Sequence, residues 1–298
     1  MIRTPEQLSV DVGDMELTVW YWPGDNGSEG DPLVFLHATG FHARCWDSII
    51  EDAPNHPTYA VDLRFHGSSG KVGDVEWPVM AADVAVALER LNLRNALIVG
   101  HSIGGYLATV AAAAQAERVA QLLLLDPVIM APERYAFAEQ MRGFMKPEHN
   151  PISRRRNAWA DGGEMYARFK DRAPFSLWQD RVLRDFCDHA LAPGDAPRKL
   201  ACDPLHEVQI YMNQNGAVIQ DALTRVEVPV TILRAEEATE ADDPFDMSKS
   251  PTWPKVAEQF ANAREIYLPE LTHFIPMQAP DLVVGYIREA LEGRWWQP

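Results

Sequence analysis

The sequence predicts an α/β protein in which a mostly parallel, twisted sheet is buried between layers of helices. Three observations predict it. Short continuous apolar runs at residues 33–36, 59–61, 96–99, 122–125 and 230–233 suit strands covered on both faces. Helical stretches lie between them: residues 77–91 carry apolar side chains at helical spacing, and the alanine-rich residues 104–116 suit close packing on a sheet. The alternation of the two implies parallel strands joined by right-handed crossovers.

Taken in order, residues 8–12 and 17–21 alternate apolar and polar side chains around Gly13-Asp14, a hairpin signal that places two antiparallel strands at one sheet edge. The five buried-strand runs follow. Residues 132–220 break the rhythm: they hold no buried-strand run, are rich in aromatic and basic residues, and are punctuated by Pro147, Pro151, Pro174, Pro193, Pro197 and Pro204. Two readings fit, a helical insertion that enlarges the core or a lid over the strand ends, where open α/β sheets place their ligands. The core then comprises residues 1–131 and 221–298. A last strand at 265–268 and a last helix at 280–292 close the chain.

Composition excludes several function classes. The chain has 298 residues, 47% hydrophobic and 23% charged, as expected for a globular protein with a sizeable core. A net charge of −16 repels phosphate backbones, so nucleic acid is not an expected partner. No apolar run reaches the roughly 20 residues of a membrane span. Met1 to Glu6 lack the pattern of a secretory signal, and a cytoplasmic location is expected. Cys45, Cys187 and Cys202 are odd in number and at no metal-like spacing, so neither a disulfide framework nor a metal is expected. Arg154-Arg155-Arg156, the one basic run, reads either as a solvated helix face or as a group that greets an anionic substrate. Trp295 and Trp296 read either as a homodimer contact or as residues folded back on the core.

The chemistry is carried by Val99-Gly100-His101-Ser102-Ile103-Gly104-Gly105, which follows a predicted strand and opens a predicted helix. Such a turn leaves no room for side chains two residues either side of its apex, hence Gly100 and Gly104. It holds the apex residue strained and exposed, near the positive end of the helix. Ser102 is the candidate nucleophile. His273, between the last strand and the last helix, is its candidate base, since a serine hydroxyl needs a partner to take its proton.

On these motifs the chain resembles the lidded serine hydrolases of the α/β-hydrolase fold. The resemblance extends to His37-Ala38-Thr39-Gly40-Phe41 with Trp46, to Asp62-Leu63-Arg64-Phe65-His66-Gly67, and to Leu271-Thr272-His273-Phe274. Ala38 replaces a usual glycine, and Phe65 interrupts an Arg-Gly-His-Gly pattern. The resemblance implies an eight-stranded sheet with a helical lid at 132–220. It also implies an oxyanion hole from the backbone N–H groups of Thr39 and Ile103. Phe41 and Trp46 then shape the acyl pocket or pack the loop, and His37, His42, His66 and His101 hold loops by hydrogen bonds.

The acid of the triad is not at its usual place, where the chain reads Ala235-Glu236-Glu237-Ala238. Asp126, at the end of an earlier strand, is favoured, because a strand end fixes a carboxylate better than a long loop; it reads otherwise as a cap before Pro127. Glu236, Glu237, Asp242, Asp243 and Asp246 are the alternatives. The expected activity is hydrolysis of a carboxylic ester of small or medium acyl size, without a cofactor. A carbon–carbon hydrolase, a lactonase and a perhydrolase would use the same triad. A receptor holding a small ligand beneath the lid is the reading of another class.

Overall fold

The computed structural model describes residues 4–24, 30–239, 242, 246 and 248–294. Asp243, Trp295 and Trp296 lie outside them.

The hairpin of β1 (Glu6–Asp11) and β2 (Glu16–Trp22) forms one edge of an eight-stranded sheet. It continues through β3 (Leu33–Leu36), β4 (Thr58–Val61), β5 (Ala96–His101) and β6 (Val119–Leu125), then β9 (Val230–Ala235) and β10 (Ala263–Leu268), after two short strands, β7 and β8, that lie elsewhere. The spatial order is β1-β2-β4-β3-β5-β6-β9-β10. β1, β2 and β4 pair antiparallel, and every later pairing is parallel.

The continuous apolar runs follow from burial on both faces. Along β3, Val34 and Leu36 enter one core while Leu33 and Phe35 enter the other; β5 and β6 alternate in the same way. Helices α2 (Trp77–Arg90) and α3 (Ile103–Ala114) cover the first face through Trp77, Tyr106 and Leu107. The short α1 (Asp47–Asp52) and α10 (Pro280–Leu291) cover the second through Ile49, Ile50, Val283 and Ile287.

Residues 132–220 are largely helical. They hold α4 (Pro132–Arg142), α5 (Gly162–Phe169), α6 (Asp180–His189), α7 (Pro204–Met212) and most of α8 (Gly216–Arg225). Two departures from expectation stand out. A two-stranded ribbon is present after all: β7 (Ala158–Trp159) pairs antiparallel with β8 (Arg198–Lys199). Two residues are too few to leave an apolar run in the sequence. The 220/221 boundary also falls inside α8, which sends Ile219 and Leu223 into the first core. Tyr135 and Ile210 join that core as well, while the stretch from Trp159 to Leu191 has its own apolar cluster, built on Trp159, Met165, Trp178, Val182, Leu183 and Phe186, and seated on Cys45 and Met277. Asp185 bonds the Ser48 N–H (3.1 Å) and its hydroxyl, and the Gln179 N–H donates to the Met277 carbonyl (2.9 Å). After β10, the short α9 (Ile275–Gln278) leads into α10.

Trp46 corrects one expectation. Its ring packs 5.2 Å from that of Phe35 in the core beneath the sheet and is 1% exposed, so it lines no acyl pocket. It belongs to a 3₁₀ turn, Ala43–Trp46, which directs this apolar ring down onto β3. The three cysteines are buried and unpaired.

One buried ion cluster ties the hairpin to α2. Arg64, with its side chain 1% exposed, bonds Asp83 Oδ2 (2.7 Å) and Asp14 Oδ1 (2.7 Å). Removing the cation alone strands the buried Asp83 carboxylate. Arg64→Met should therefore cost about 3–5 kcal/mol, read as a lowered urea midpoint. Arg64→Met/Asp83→Leu, an apolar pair in place of the buried ion pair, should recover much of that loss. A single variant as stable as the parent would remove the cluster's structural role.

Candidate active site

Ser102 sits where β5 turns into α3, at φ 58° and ψ −121°, a sparsely populated conformation for a side chain other than glycine. The turn is held by its own backbone: the Ser102 N–H donates to Leu125 O (3.1 Å), and Ser102 O accepts from Gly105 (3.0 Å) and Val128 (3.0 Å). The glycines are required as the sequence implied. A Cβ on Gly104 would lie 2.2 Å from Leu36 O, and one on Gly100 would lie 2.5 Å from Gly104 O. Neither contact can be relieved, because both oxygens are backbone.

His273 Nε2 lies 3.0 Å from Ser102 Oγ, and His273 Nδ1 lies 2.6 Å from Asp126 Oδ2. This pattern makes Nδ1–H the donor to Asp126 and leaves Nε2 to accept from the serine hydroxyl. Asp126 is thus the carboxylate that reaches the imidazole. It lies at the end of β6 with φ 44°. Its Oδ1 accepts from the Ala235 N–H (2.9 Å), Ser250 Oγ (2.6 Å) and Thr252 Oγ1 (3.2 Å). The described alternatives are engaged elsewhere. Glu236 pairs with Lys249 (2.7 Å), Glu237 with Arg234 (3.5 Å), Asp242 bonds Thr239 (2.7 Å), and Asp246 accepts from the Ser248 N–H (2.9 Å).

Four other histidines, those expected to hold loops, each bond a backbone group. His37 Nε2 accepts from the Leu63 N–H (3.0 Å), and its Nδ1–H therefore donates to Ala38 O (2.7 Å). His66 repeats the pattern, accepting from the Gly40 N–H (2.9 Å) and donating to Arg64 O (2.9 Å). His42 bonds Phe186 O (3.0 Å), and His101 Nε2 bonds the His273 carbonyl (2.8 Å). Phe65, where the resembled pattern has glycine, adopts φ 67°.

Ser102 and His273 open on a cavity of about 220 Å³. Thr39 and Phe41 line it, and Ile103 begins α3 beside it. Among the described residues, neither the Thr39 nor the Ile103 backbone N–H has a hydrogen-bond acceptor. Across from the serine the wall comes from residues 132–220. Phe175, Trp178 and Phe186 are its apolar part, and Arg155, Glu207 and Tyr211 its polar part. Trp159 and Phe169, two more aromatics of residues 132–220, do not line the cavity. They stand behind Phe175, which stacks on Phe169 at 4.3 Å between ring centroids.

Sequence reasoning missed Phe186, Phe274, Glu207 and Tyr211. The i, i+4 spacing of Glu207 and Tyr211, which puts both on one face of α7, was a usable signal. Arg155 leaves its neighbours: Arg154 bonds Glu148 O (3.3 Å), Arg156 lies over the Trp159 ring, and Arg155 alone of the three lines the cavity.

A model of the Alpha/beta hydrolase family matches residues 33–285. Among curated proteins, the chain is 27% identical over 203 residues to an N-formylmaleamate deformylase of Pseudomonas putida, covering 67% of this chain and 71% of that one. It is 31% identical over 127 residues to a pimeloyl-[acyl-carrier protein] methyl ester esterase of Aliivibrio salmonicida, covering 42% of this chain and 45% of that one. Among solved structures it shares the fold of E-2-(acetamidomethylene)succinate hydrolase. There the TM-score is 0.74 at 19% identity, over 97% of this chain and 99% of the other.

Burial holds the His37 imidazole down at about 4 and lowers His66 well below its usual value. The acceptor role of each Nε2 acts in the same direction, because a protonated ring would set N–H against N–H. Both values lie below the roughly 6.5 of an unfolded chain. The stability these neutral rings contribute is complete above about pH 6.5 and is lost as the pH falls from there toward 4. Urea midpoints measured from pH 7 to pH 4.5 should fall, and His37→Gln, which has no such titration, should flatten part of that slope. Parallel slopes would mean that His37 takes up no extra proton on unfolding.

Proposed function

The chain belongs to the alpha/beta hydrolase family and is a hydrolase, and on that premise we propose that it cleaves a carboxylic ester of small or medium acyl size through an acyl-enzyme. The observation that carries this reading is the line from Asp126 Oδ2 through His273 to Ser102 Oγ, with separations of 2.6 and 3.0 Å, ending in the cavity. In this reading Ser102 Oγ attacks the ester carbon while His273 Nε2 takes its proton. The oxygen that becomes negative is met by the N–H groups of Thr39 and Ile103, the second at the positive end of α3. Collapse of this intermediate expels the alcohol, which receives the proton from His273. Water, activated by the same nitrogen, then releases the acid and frees Ser102. Asp126 keeps Nδ1 protonated and the ring in place, and stabilises the imidazolium as it forms. Residues 132–220 act as the lid that excludes bulk water from these steps. No cofactor enters the scheme, and the partner is a small-molecule substrate.

Similarity to a methyl ester esterase supports the ester. Similarity to a deformylase favours a second reading, cleavage of an amide by the same attack with an amine as leaving group. No helix of the described residues is long and apolar enough to cross a membrane.

Nitrophenyl esters of increasing acyl length, offered to this protein and to Ser102→Ala, test the proposal. Turnover should vanish in the variant. Asp126→Asn should retain the fold and lose about 10⁴-fold in kcat, by analogy with the same change in a serine protease triad. Turnover that survives Ser102→Ala would sink the acyl-enzyme.

A further inference from the structure

We propose that Arg155 anchors a carboxylate of the substrate, so that the enzyme takes esters or amides that carry a second, ionised acid group. The inference rests on the hydrolase reading of Ser102 and His273 and names the substrate class of that same cavity.

Arg155 lines the cavity with Ser102 and His273. Its guanidinium faces Glu207, with Nη1 3.0 Å from Oε1 and Nη2 2.5 Å from Oε2. Glu207 is the buried partner, its side chain 4% exposed against 37% for Arg155. Glu207 in turn fills the space beside Gly40, where a Cβ would lie 2.7 Å from its Oε1. The carboxylate is therefore part of the wall, and the guanidinium is its open edge. Of the five N–H groups of a guanidinium, one, on Nη1, donates to Glu207 Oε1, while Nη2 stands beside Oε2 as an ion pair. Among the described residues, the others have no side-chain or backbone acceptor.

Three arginines elsewhere in this acidic chain hold two carboxylates each, while others, such as Arg44, Arg142 and Arg225, hold one. Arg64 holds both Asp14 and Asp83, Arg181 both Asp52 and Asp281, and Arg234 both Glu237 and Glu265. Arg155 holds one carboxylate of the protein while lining the cavity with a partly exposed side chain. A ligand carboxylate would complete the same two-acid arrangement, by charge-assisted and often bidentate bonds. The rest of the ligand then runs along Phe175, Trp178 and Phe186 toward Ser102. The same residue would also offset the repulsion of anions by a surface of net charge −16.

Binding to the unreactive Ser102→Ala protein tests this without requiring turnover. The probes are the monomethyl esters of succinate, glutarate and adipate, each compared by calorimetry with its dimethyl ester. The best-fitting monoanion should bind at least about tenfold tighter than its diester, and Arg155→Gln should bring that ratio to about one. Arg155→Gln leaves the buried Glu207 without its cation, so Arg155→Gln/Glu207→Gln, neutral for neutral, is run beside it with the same expectation. Arg155→Lys, which keeps the charge and loses the fork, should keep part of the preference. A monoanion bound no tighter than its diester, or a preference that survives both Arg155→Gln proteins, overturns the proposal. The ester reading fails separately, through absent Ser102-dependent turnover in the parent enzyme.

Discussion

The hydrogen bond between Asp126 and His273 is the constraint on which the site depends. Asp126 ends β6, and His273 lies 147 residues further on, beyond residues 132–220 and two more strands. The bond forms only if β6, β9 and β10 lie side by side in register and the chain returns over their ends. Asp126 Oδ1 enforces this by collecting donors from Ala235, Ser250 and Thr252, so the carboxylate is fixed before the imidazole reaches it. His273 is held in turn by the bond from its N–H to Ser248 O (2.6 Å) and by His101, the residue before the serine. Asp126 and His273 are therefore both anchored by groups outside the line that joins them to Ser102.

Much of this was legible in the sequence, and for identifiable reasons. The sheet was readable because strands buried on both faces must be apolar at every position, which leaves runs such as Leu122–Leu125. The serine was readable because its turn forbids side chains at Gly100 and Gly104. The acid was less so: six carboxylates crowd residues 236–246 after β9, and sequence spacing does not say which of them turns outward. Among the described ones, Glu236, Glu237, Asp242 and Asp246 engage Lys249, Arg234, Thr239 and Ser248, and that depends on loop geometry. Trp46 was open for a related reason. Its position after a motif is visible in the sequence, but a 3₁₀ turn rather than a longer loop aims its ring into the core.

The cavity wall opposite the serine was the least readable part. It is assembled from a 3₁₀ turn, a loop and two helices that meet only through their packing on one another. Arg155 could not be told from Arg154 and Arg156, since one residue of offset reverses which way a side chain points. Glu207 reads in the sequence as an ordinary helix residue, yet it is among the most buried carboxylates here. Burial pushes its carboxyl upward while Arg155 opposes that shift, so the pair is best understood as one unit.

The proposed reacting groups and the cavity wall that faces them come from separate stretches of the chain. Ser102, Asp126 and His273 stand on strand ends, while Arg155, Phe175, Trp178 and Phe186 belong to an excursion between β6 and β9. Substitutions in the excursion can reshape the cavity wall while leaving the strand ends that carry Ser102, Asp126 and His273 untouched. The seam that limits this freedom is where Glu207 rests against Gly40. A transplanted excursion must bring a side chain that fits there. A bulkier one would push the Thr39–Gly40 loop aside, and a smaller one would leave it unsupported.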